Sequence, residues 1–465
     1  MKIAAIIAEY NPFHNGHRYL AQAVRKHTDA DFVIALMSGC FVQRGAPAVL
    51  DKYIRADFAL HDGIDLVLEL PTVYALGHAE QFASGAVRIL DALGCDYLCF
   101  GCEDENTDRL KAAAALFEYE PEEFETLLMD ALKSGLSYPA AREKAACICL
   151  PKQYPDAFSS EEEVSALLQG PNNILAISYL QVMLRIRSAM EIVPVLRAGS
   201  THHDSLLPER KSRRERDITS TPEPILLAED VQPGTIRSSG GGQTVGRVGP
   251  RMYPSSRAIR EVLSDSIATH RFLSGYPDLK RSVSTYVYDA LQDARTRTIF
   301  QFEDDYSVML RYRLLMMGKD EILTYCIQNE SFANRLLHHR SGWQSISELT
   351  ANMKHKSRTY SGISRTLFRI LLGIDDTAEA VAASEIAYAR VLGMREEAAP
   401  ILHEWKEADA IPLLLNLSED TTILSDAQKD MLRTDILAAD LYAAVHEIKT
   451  GEVQENEYTR RFLKL

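Results

Sequence analysis

Two histidines three residues apart, His14 and His17, stand in the run Glu9-Tyr10-Asn11-Pro12-Phe13-His14-Asn15-Gly16-His17. The run follows an apolar stretch over residues 2–8 and precedes helical spacing over 17–26, so it reads as a loop between a buried strand and a helix. A helix start offers unpaired backbone N–H groups and the positive end of the dipole, and both suit a phosphate. Gly16 has no Cβ and lets the backbone approach a ligand closely. At this spacing both imidazoles can face a triphosphate and donate to the charge that grows during in-line attack at the α-phosphorus. The competing reading of the spacing alone is that His14 caps the helix and His17 packs.

Such side chains need a rigid frame, and the first hundred residues supply one. Residues 31–37 are apolar and rich in β-formers, 55–62 are helical, and 66–70 and 97–100 predict two more buried strands with a helix at 80–93 between them. Strands alternating with helices mean crossover connections, a parallel sheet and an α/β fold. Ligands bind beyond the carboxyl ends of such strands, where strand order reverses, which singles out the loops after Ala8, Met37, Leu70 and Phe100. Residues 123–204 read as helical with a short strand at 193–196. Residues 209–216 are basic and polar, and Ser238-Ser239-Gly240-Gly241-Gly242 has flexible-linker chemistry. Beyond Ser255, helices are predicted near 256–270, 280–296, 304–317, 343–353, 361–373, 378–393 and 426–448. The expected organisation is an α/β domain over 1–205, a basic, Gly/Ser-rich insertion over 206–253 and an all-helical domain over 254–465.

Composition narrows the class. The chain of 465 residues is 46% hydrophobic and 25% charged, which excludes a disordered, collagen-like or disulfide-stapled protein. Its net charge of −14 repels nucleic acid and anionic lipid, so any polyanion must meet a local basic patch. No run approaches the ~20 apolar residues of a membrane span, and the first apolar stretch ends at Glu9, which predicts a cytoplasmic protein. The 7 cysteines are odd in number, and Cys95, Cys99 and Cys102 lie across an apolar run without a second ligand pair. They are expected to be buried thiols, and no metal site is expected. Nothing in the sequence sets the oligomeric state.

Strand, then His14-Asn15-Gly16-His17, then helix resembles the H-x-G-H signature of the nucleotidyltransferase superfamily, relatives of class I aminoacyl-tRNA synthetases. That resemblance implies a Rossmann-like sheet, ATP bound over the loop and release of pyrophosphate. Further segments narrow it: Met37-Ser38-Gly39-Cys40-Phe41-Val42-Gln43-Arg44-Gly45 with Pro47-Ala48, Asp65-Leu66-Val67-Leu68-Glu69-Leu70-Pro71, Phe100-Gly101-Cys102-Glu103, Pro171-Asn172-Asn173-Ile174-Leu175, Arg197 and His203-Asp204. Together they resemble the tRNA(Met) cytidine acetate ligase family, densely over 1–205 and in patches beyond. Members of that family activate acetate with ATP as acetyl-adenylate. They pass the acetyl group to the exocyclic amine of the wobble cytidine of elongator tRNA(Met), forming N4-acetylcytidine.

Carried over by position, the resemblance implies an ATP-binding stretch Ile7-Ala8-Glu9-Tyr10-Asn11-Pro12-Phe13-His14-Asn15-Gly16-His17-Arg18-Tyr19-Leu20, joined by Gly101, Asn172 and Arg197. His14 and His17 would be the catalytic pair, with Mg²⁺ bridging the leaving pyrophosphate. Gly101 ends a buried strand, Asn172 can donate and accept, and Arg197 offers a planar fork. The competing readings are a turn, a helix cap and a surface charge. Lys52 and Arg55, which follow the 38–45 loop, are expected to counter acetate or pyrophosphate charge.

The resemblance to nucleotidyltransferases also implies a Ser/Thr-rich turn ending in Ile-Arg that grips the outer phosphates, and Ser255-Ser256-Arg257-Ala258-Ile259-Arg260 fits, opening a helix. Arg257 stands where the family pattern has Thr. The expected tRNA surface is the island of Lys354, Lys356, Arg358 and Tyr360 with Arg365 and Arg369, free of carboxylates from Lys354 to Arg369. Tyr360 could stack on an unpaired base. The alternatives are a nucleotidyltransferase acting on a small phosphorylated metabolite, which has no need of the island, and a non-catalytic tRNA-binding protein, which has no need of the intact histidine loop.

Overall fold

The computed structural model describes residues 1–197, 255–325, 329–354 and 358–465. The 206–253 insertion, His203-Asp204 and Lys356 lie outside the described residues.

Five strands form the parallel part of the main sheet: β1 (Ile3–Ala8), β2 (Phe32–Ser38), β5 (Leu66–Leu70), β6 (Tyr97–Cys102) and β7 (Glu191–Leu196). A separate antiparallel pair, β3 (Phe41–Val42) and β4 (Ala46–Pro47), follows β2. The spatial order β5-β2-β1-β6-β7 puts the chain on one side of β1 first and on the other side afterwards. The reversal opens a crevice above the carboxyl ends of β1 and β6. Both faces of the sheet are covered, so its inner strands read as continuous apolar runs. Ile3 and Ala5 enter one core cluster, while Ala4 and Ile6 enter the other, which also holds Ala21, Ala23 and Val24 of helix Asn15–Thr28.

The region beyond Ser255 is helical, as expected, except where it returns to the sheet. Three short strands, β8 (Ala389–Met394), β9 (Leu413–Leu414) and β10 (Leu463–Lys464), extend it beyond β5. The helix expected over 378–393 is split accordingly: Asp376–Ser384 is helical, and β8 runs antiparallel to β5 with every residue buried. A short apolar run fits either structure by periodicity, and here pairing with β5 decides.

Four buried charges tie the last hundred residues to the first. Lys52 Nζ lies 2.8 Å from Glu69 Oε1 and 2.7 Å from Glu457 Oε2. Arg390 pairs with both carboxylates, 3.2 Å from Glu69 Oε2. Burial alone would raise the pKa of Glu457, but Lys52 and Arg390 hold it down at about 2. Cys95, Cys99 and Cys102 are buried free thiols, and among the described residues no group of three His, Cys, Asp or Glu side chains is placed to hold a metal. Among them, too, no helix is long and apolar enough to cross a membrane.

Candidate active site

His14 is the N-cap of helix Asn15–Thr28, and its Nδ1 accepts from the Gly16 N–H at 3.0 Å. The His14 N–H in turn donates to His17 Nδ1 at 3.3 Å, and the two rings stack with centroids 3.8 Å apart. The capping of the alternative reading is therefore present, and it sets up the chemistry. With both Nδ1 atoms accepting, each neutral ring carries its proton on Nε2, which leaves two parallel N–H donors at the helix start. Burial lowers the pKa of both rings. His17 falls to about 3 with help from Arg197, and His14 falls well below the usual histidine range with help from His17, Arg197 and Arg260.

The loop below this pair is held at several points. Tyr10 and Phe13 are buried, with centroids 4.9 and 5.4 Å from the His17 ring. Asn11 Oδ1 accepts from the Val49 N–H at 2.8 Å, and the Asn11 carbonyl accepts from Arg260 Nη1 at 2.6 Å. Glu9 Oε1 accepts from the Gln43 N–H at 2.9 Å. The Glu9 carbonyl accepts from Arg55 Nη1 at 2.6 Å.

Lys52 does not reach the site, and Arg55 touches it only at the Glu9 carbonyl. Lys52 is fully buried (0% exposed) and spent on Glu69 and Glu457. Arg55, also fully buried, donates to the carbonyls of Leu50, Glu9, Ser38 and Gly39, clamping the ends of β1 and β2 together. Both cations serve the frame, and neither is free to counter acetate or pyrophosphate.

Gly101 and Arg197 meet at the adjacent carboxyl ends of β6 and β7, on one side of the crevice. Arg197 directly follows β7, and its N–H donates to the Cys102 carbonyl at 3.0 Å. A Cβ on Gly101 would stand 3.4 Å from Arg197 Cγ, so the arginine stem lies over the glycine. Burial lowers the Arg197 pKa, against the pull of Glu103. Asn172, half-buried at the start of helix Pro171–Ile186, donates from Nδ2 to Glu103 Oε1.

Its neighbour Asn173 does more, and sequence reasoning passed over it. Asn173 is buried. Its Oδ1 accepts from the Glu103 and Asp104 N–H groups at 2.9 and 3.1 Å, and its Nδ2 donates to the Leu167 carbonyl at 3.0 Å. The available signal was an amide pair directly after Gly-Pro at a helix start. Asn173→Ala should lower stability by about 1–3 kcal/mol for each donor or acceptor left unpaired, read by urea unfolding, whereas Asn172→Ala should leave the midpoint nearly unchanged.

The turn at Ser255, expected to grip the outer phosphates, comes to the same place. Ser255 caps helix Ser256–Ala268 by accepting from the Ala258 N–H at 3.1 Å, and Ser256 opens that helix. Arg260, one turn on, reaches the histidine loop at Asn11 and is pushed down to about 10 by burial and by Arg44. Arg257 pairs with Glu261 at 2.9 Å on the exposed side of the helix.

The basic island divides. Lys354 is exposed, Arg358 stacks over Phe332 at 4.3 Å, and Tyr360, 40% exposed, opens helix Tyr360–Leu372. Burial, with Glu303 and Asp304 nearby, pushes the Tyr360 hydroxyl up to about 12. Arg369 is buried and Arg365 half-buried. Arg369 is 7% exposed and pairs with Glu379, while Arg365 Nη1 donates to the Gln43 carbonyl at 3.1 Å. Helices Ser307–Met316, Lys319–Tyr325, Ile346–Met353 and Asp426–Thr450 and strand β4 all pack on this helix, and Arg365 and Arg369 are engaged by protein groups there.

The chain matches the family described as HIGH Nucleotidyl Transferase over residues 1–214 and 225–457. Among curated relatives, the tRNA(Met) cytidine acetate ligase of Halothermothrix orenii is 32% identical over 453 residues, covering 96% of this chain and 95% of the relative. Its counterpart in Acetivibrio thermocellus is 30% identical over 466 residues, covering 100% of both. The crystal structure of Thermotoga maritima TmcAL in its apo form aligns with a TM-score of 0.81 at 26% identity over 100% of both chains. The same protein bound with α-thio ATP aligns with a TM-score of 0.79 at 25% identity over 100% of both chains. With the histidine pair, the crevice and the full-length matches in place, the chain belongs to the HIGH nucleotidyl transferases and, within them, to the tRNA(Met) cytidine acetate ligase family.

Proposed function

We propose that the protein is an ATP-dependent ligase that activates acetate as acetyl-adenylate and acetylates the wobble cytidine of elongator tRNA(Met). The observation that carries this reading is the stacked His14–His17 pair with both Nδ1 atoms engaged, set at a helix start above the strand-order reversal. The residues 7–20 hold ATP, with Gly101, Asn172 and Arg197 on the far side of the crevice. The acetate carboxylate attacks the α-phosphorus and pyrophosphate leaves. The cytidine amine then attacks the acetyl carbonyl, loses a proton and expels AMP.

In this reading the Nε2–H groups of His14 and His17 and the guanidinium groups of Arg197 and Arg260 stabilise charge on the phosphates, and no protein nucleophile is needed. Mg²⁺ would neutralise the pyrophosphate, and phosphate oxygens suit it as ligands. The described residues build no carboxylate cage for it, and Glu9, the acid of the loop itself, already accepts from Gln43. The helices of 254–465 take the tRNA, through Lys354, Arg358 and Tyr360 together with Lys356, and the enzyme works in the cytoplasm, where its substrates are.

Exchange of labelled pyrophosphate into ATP, without tRNA, tests the first half. Exchange should require acetate, and adding elongator tRNA(Met) should yield N4-acetylcytidine. No exchange with acetate or any other short acid would overturn the proposal.

A further inference from the structure

The candidate tRNA helix and the nucleotide loop meet through one small hairpin. β3 and β4 are joined by a turn over 43–45, in which the Gly45 N–H donates to the Val42 carbonyl at 2.9 Å. Ser364 Oγ donates to the Gly45 carbonyl at 2.5 Å. Gly45 has φ +76, and a Cβ there would sit 2.2 Å from the Arg365 backbone nitrogen, so the turn rests directly on the backbone of helix Tyr360–Leu372. On the far side of the turn, the Gln43 N–H donates to Glu9 Oε1 at 2.9 Å. Gln43 is thus held from both ends, by Glu9 through its N–H and by Arg365 through its carbonyl.

Arg365 is unusually placed for a cation. It is half-buried, and among the described residues no carboxylate pairs with it. For a partly buried guanidinium that faces no carboxylate among the described residues, the hydrogen bond to the Gln43 carbonyl is what fixes its place. We propose that Arg365 is a positioning residue of the ATP site, acting through Gln43 and Glu9 on the loop that carries His14 and His17. The inference rests on the reading of that loop as the ATP site. The helix headed by Arg358 and Tyr360 and the nucleotide loop then form one mechanical unit, and RNA seated on the first is placed relative to the second by this contact.

Arg365→Met keeps the stem and removes the guanidinium. It should weaken ATP binding, measured by calorimetry, by about tenfold, the worth of one charge-assisted hydrogen bond. It should leave the affinity for elongator tRNA(Met), measured without ATP, within about twofold of wild type. Arg365→Lys, whose ammonium can still reach one carbonyl, should recover part of the loss. Glu9→Gln in the Arg365→Met background should cost less than Glu9→Gln alone, since both act on Gln43. Lost tRNA affinity with unchanged ATP binding would make Arg365 an RNA contact and overturn the proposal. So would full additivity of the two substitutions. Acetate-dependent exchange by the wild type is scored separately, so absence of exchange sinks the reading of the site, while unchanged ATP affinity in Arg365→Met sinks this inference alone.

Discussion

Replacing His14 by Ala is expected to lower acetate-dependent pyrophosphate exchange by about 10²–10³-fold, the usual cost of one preorganised donor at a developing charge. The double replacement with His17→Ala should fall further but by less than the product of the two singles. The reason is geometric: His17 Nδ1 accepts from the His14 N–H and the rings stack, so losing either disturbs the other. Both rings are neutral at physiological pH, because burial depresses their pKa. The exchange rate should therefore show no inflection near 6.5 that disappears in the double variant, and finding one would remove the neutral-donor role. Stability behaves differently. Between about 6.5, the unfolded value, and about 3 for His17, the unfolded chain binds protons that the folded ring refuses. The folded state is thus fully stable above that window and loses stability as pH falls through it, and His17→Ala should flatten the slope.

Lys52→Met is expected to destabilise the fold by about 3–5 kcal/mol, because it leaves two carboxylates facing Arg390 alone in the interior. Urea unfolding at neutral pH reads this directly. Adding Glu457→Gln removes one orphaned charge and should recover a large part of the loss. A Lys52→Met protein of normal stability with weakened ATP binding would return Lys52 to the phosphates.

The N-terminal half was legible because its strands are buried on both faces and so stand out as apolar runs, each followed by a loop that faces the crevice. The His14–His17 loop was legible for the same reason: it follows such a run at Glu9. What escaped depends on partners far away in the chain. Nothing local marks Lys52 as an interior residue, since its second carboxylate, Glu457, lies near the end of the chain. The helix-like stretch that holds Arg390 becomes a strand only because β5 pairs beside it. Arg365 and Arg369 looked free because spacing along a helix reports which residues share a face and not how many faces are covered. Asn172 and Asn173 are indistinguishable as letters, and only the loop after β6 decides which amide is locked.

The antiparallel seam between β5 and β8 also sets an order of events at the ribosome. β5 leaves the exit tunnel roughly 320 residues before β8, a delay on the order of 15–60 s at ~5–20 residues per second. Throughout that interval the nascent chain presents an open apolar strand edge, and Lys52 waits with Glu69 but without Glu457 or Arg390. A ribosome stalled before residue 389 therefore holds a nucleotide loop without its finished frame. Chaperone crosslinking to such stalled chains should peak on β5 and vanish once the C-terminal strands have emerged.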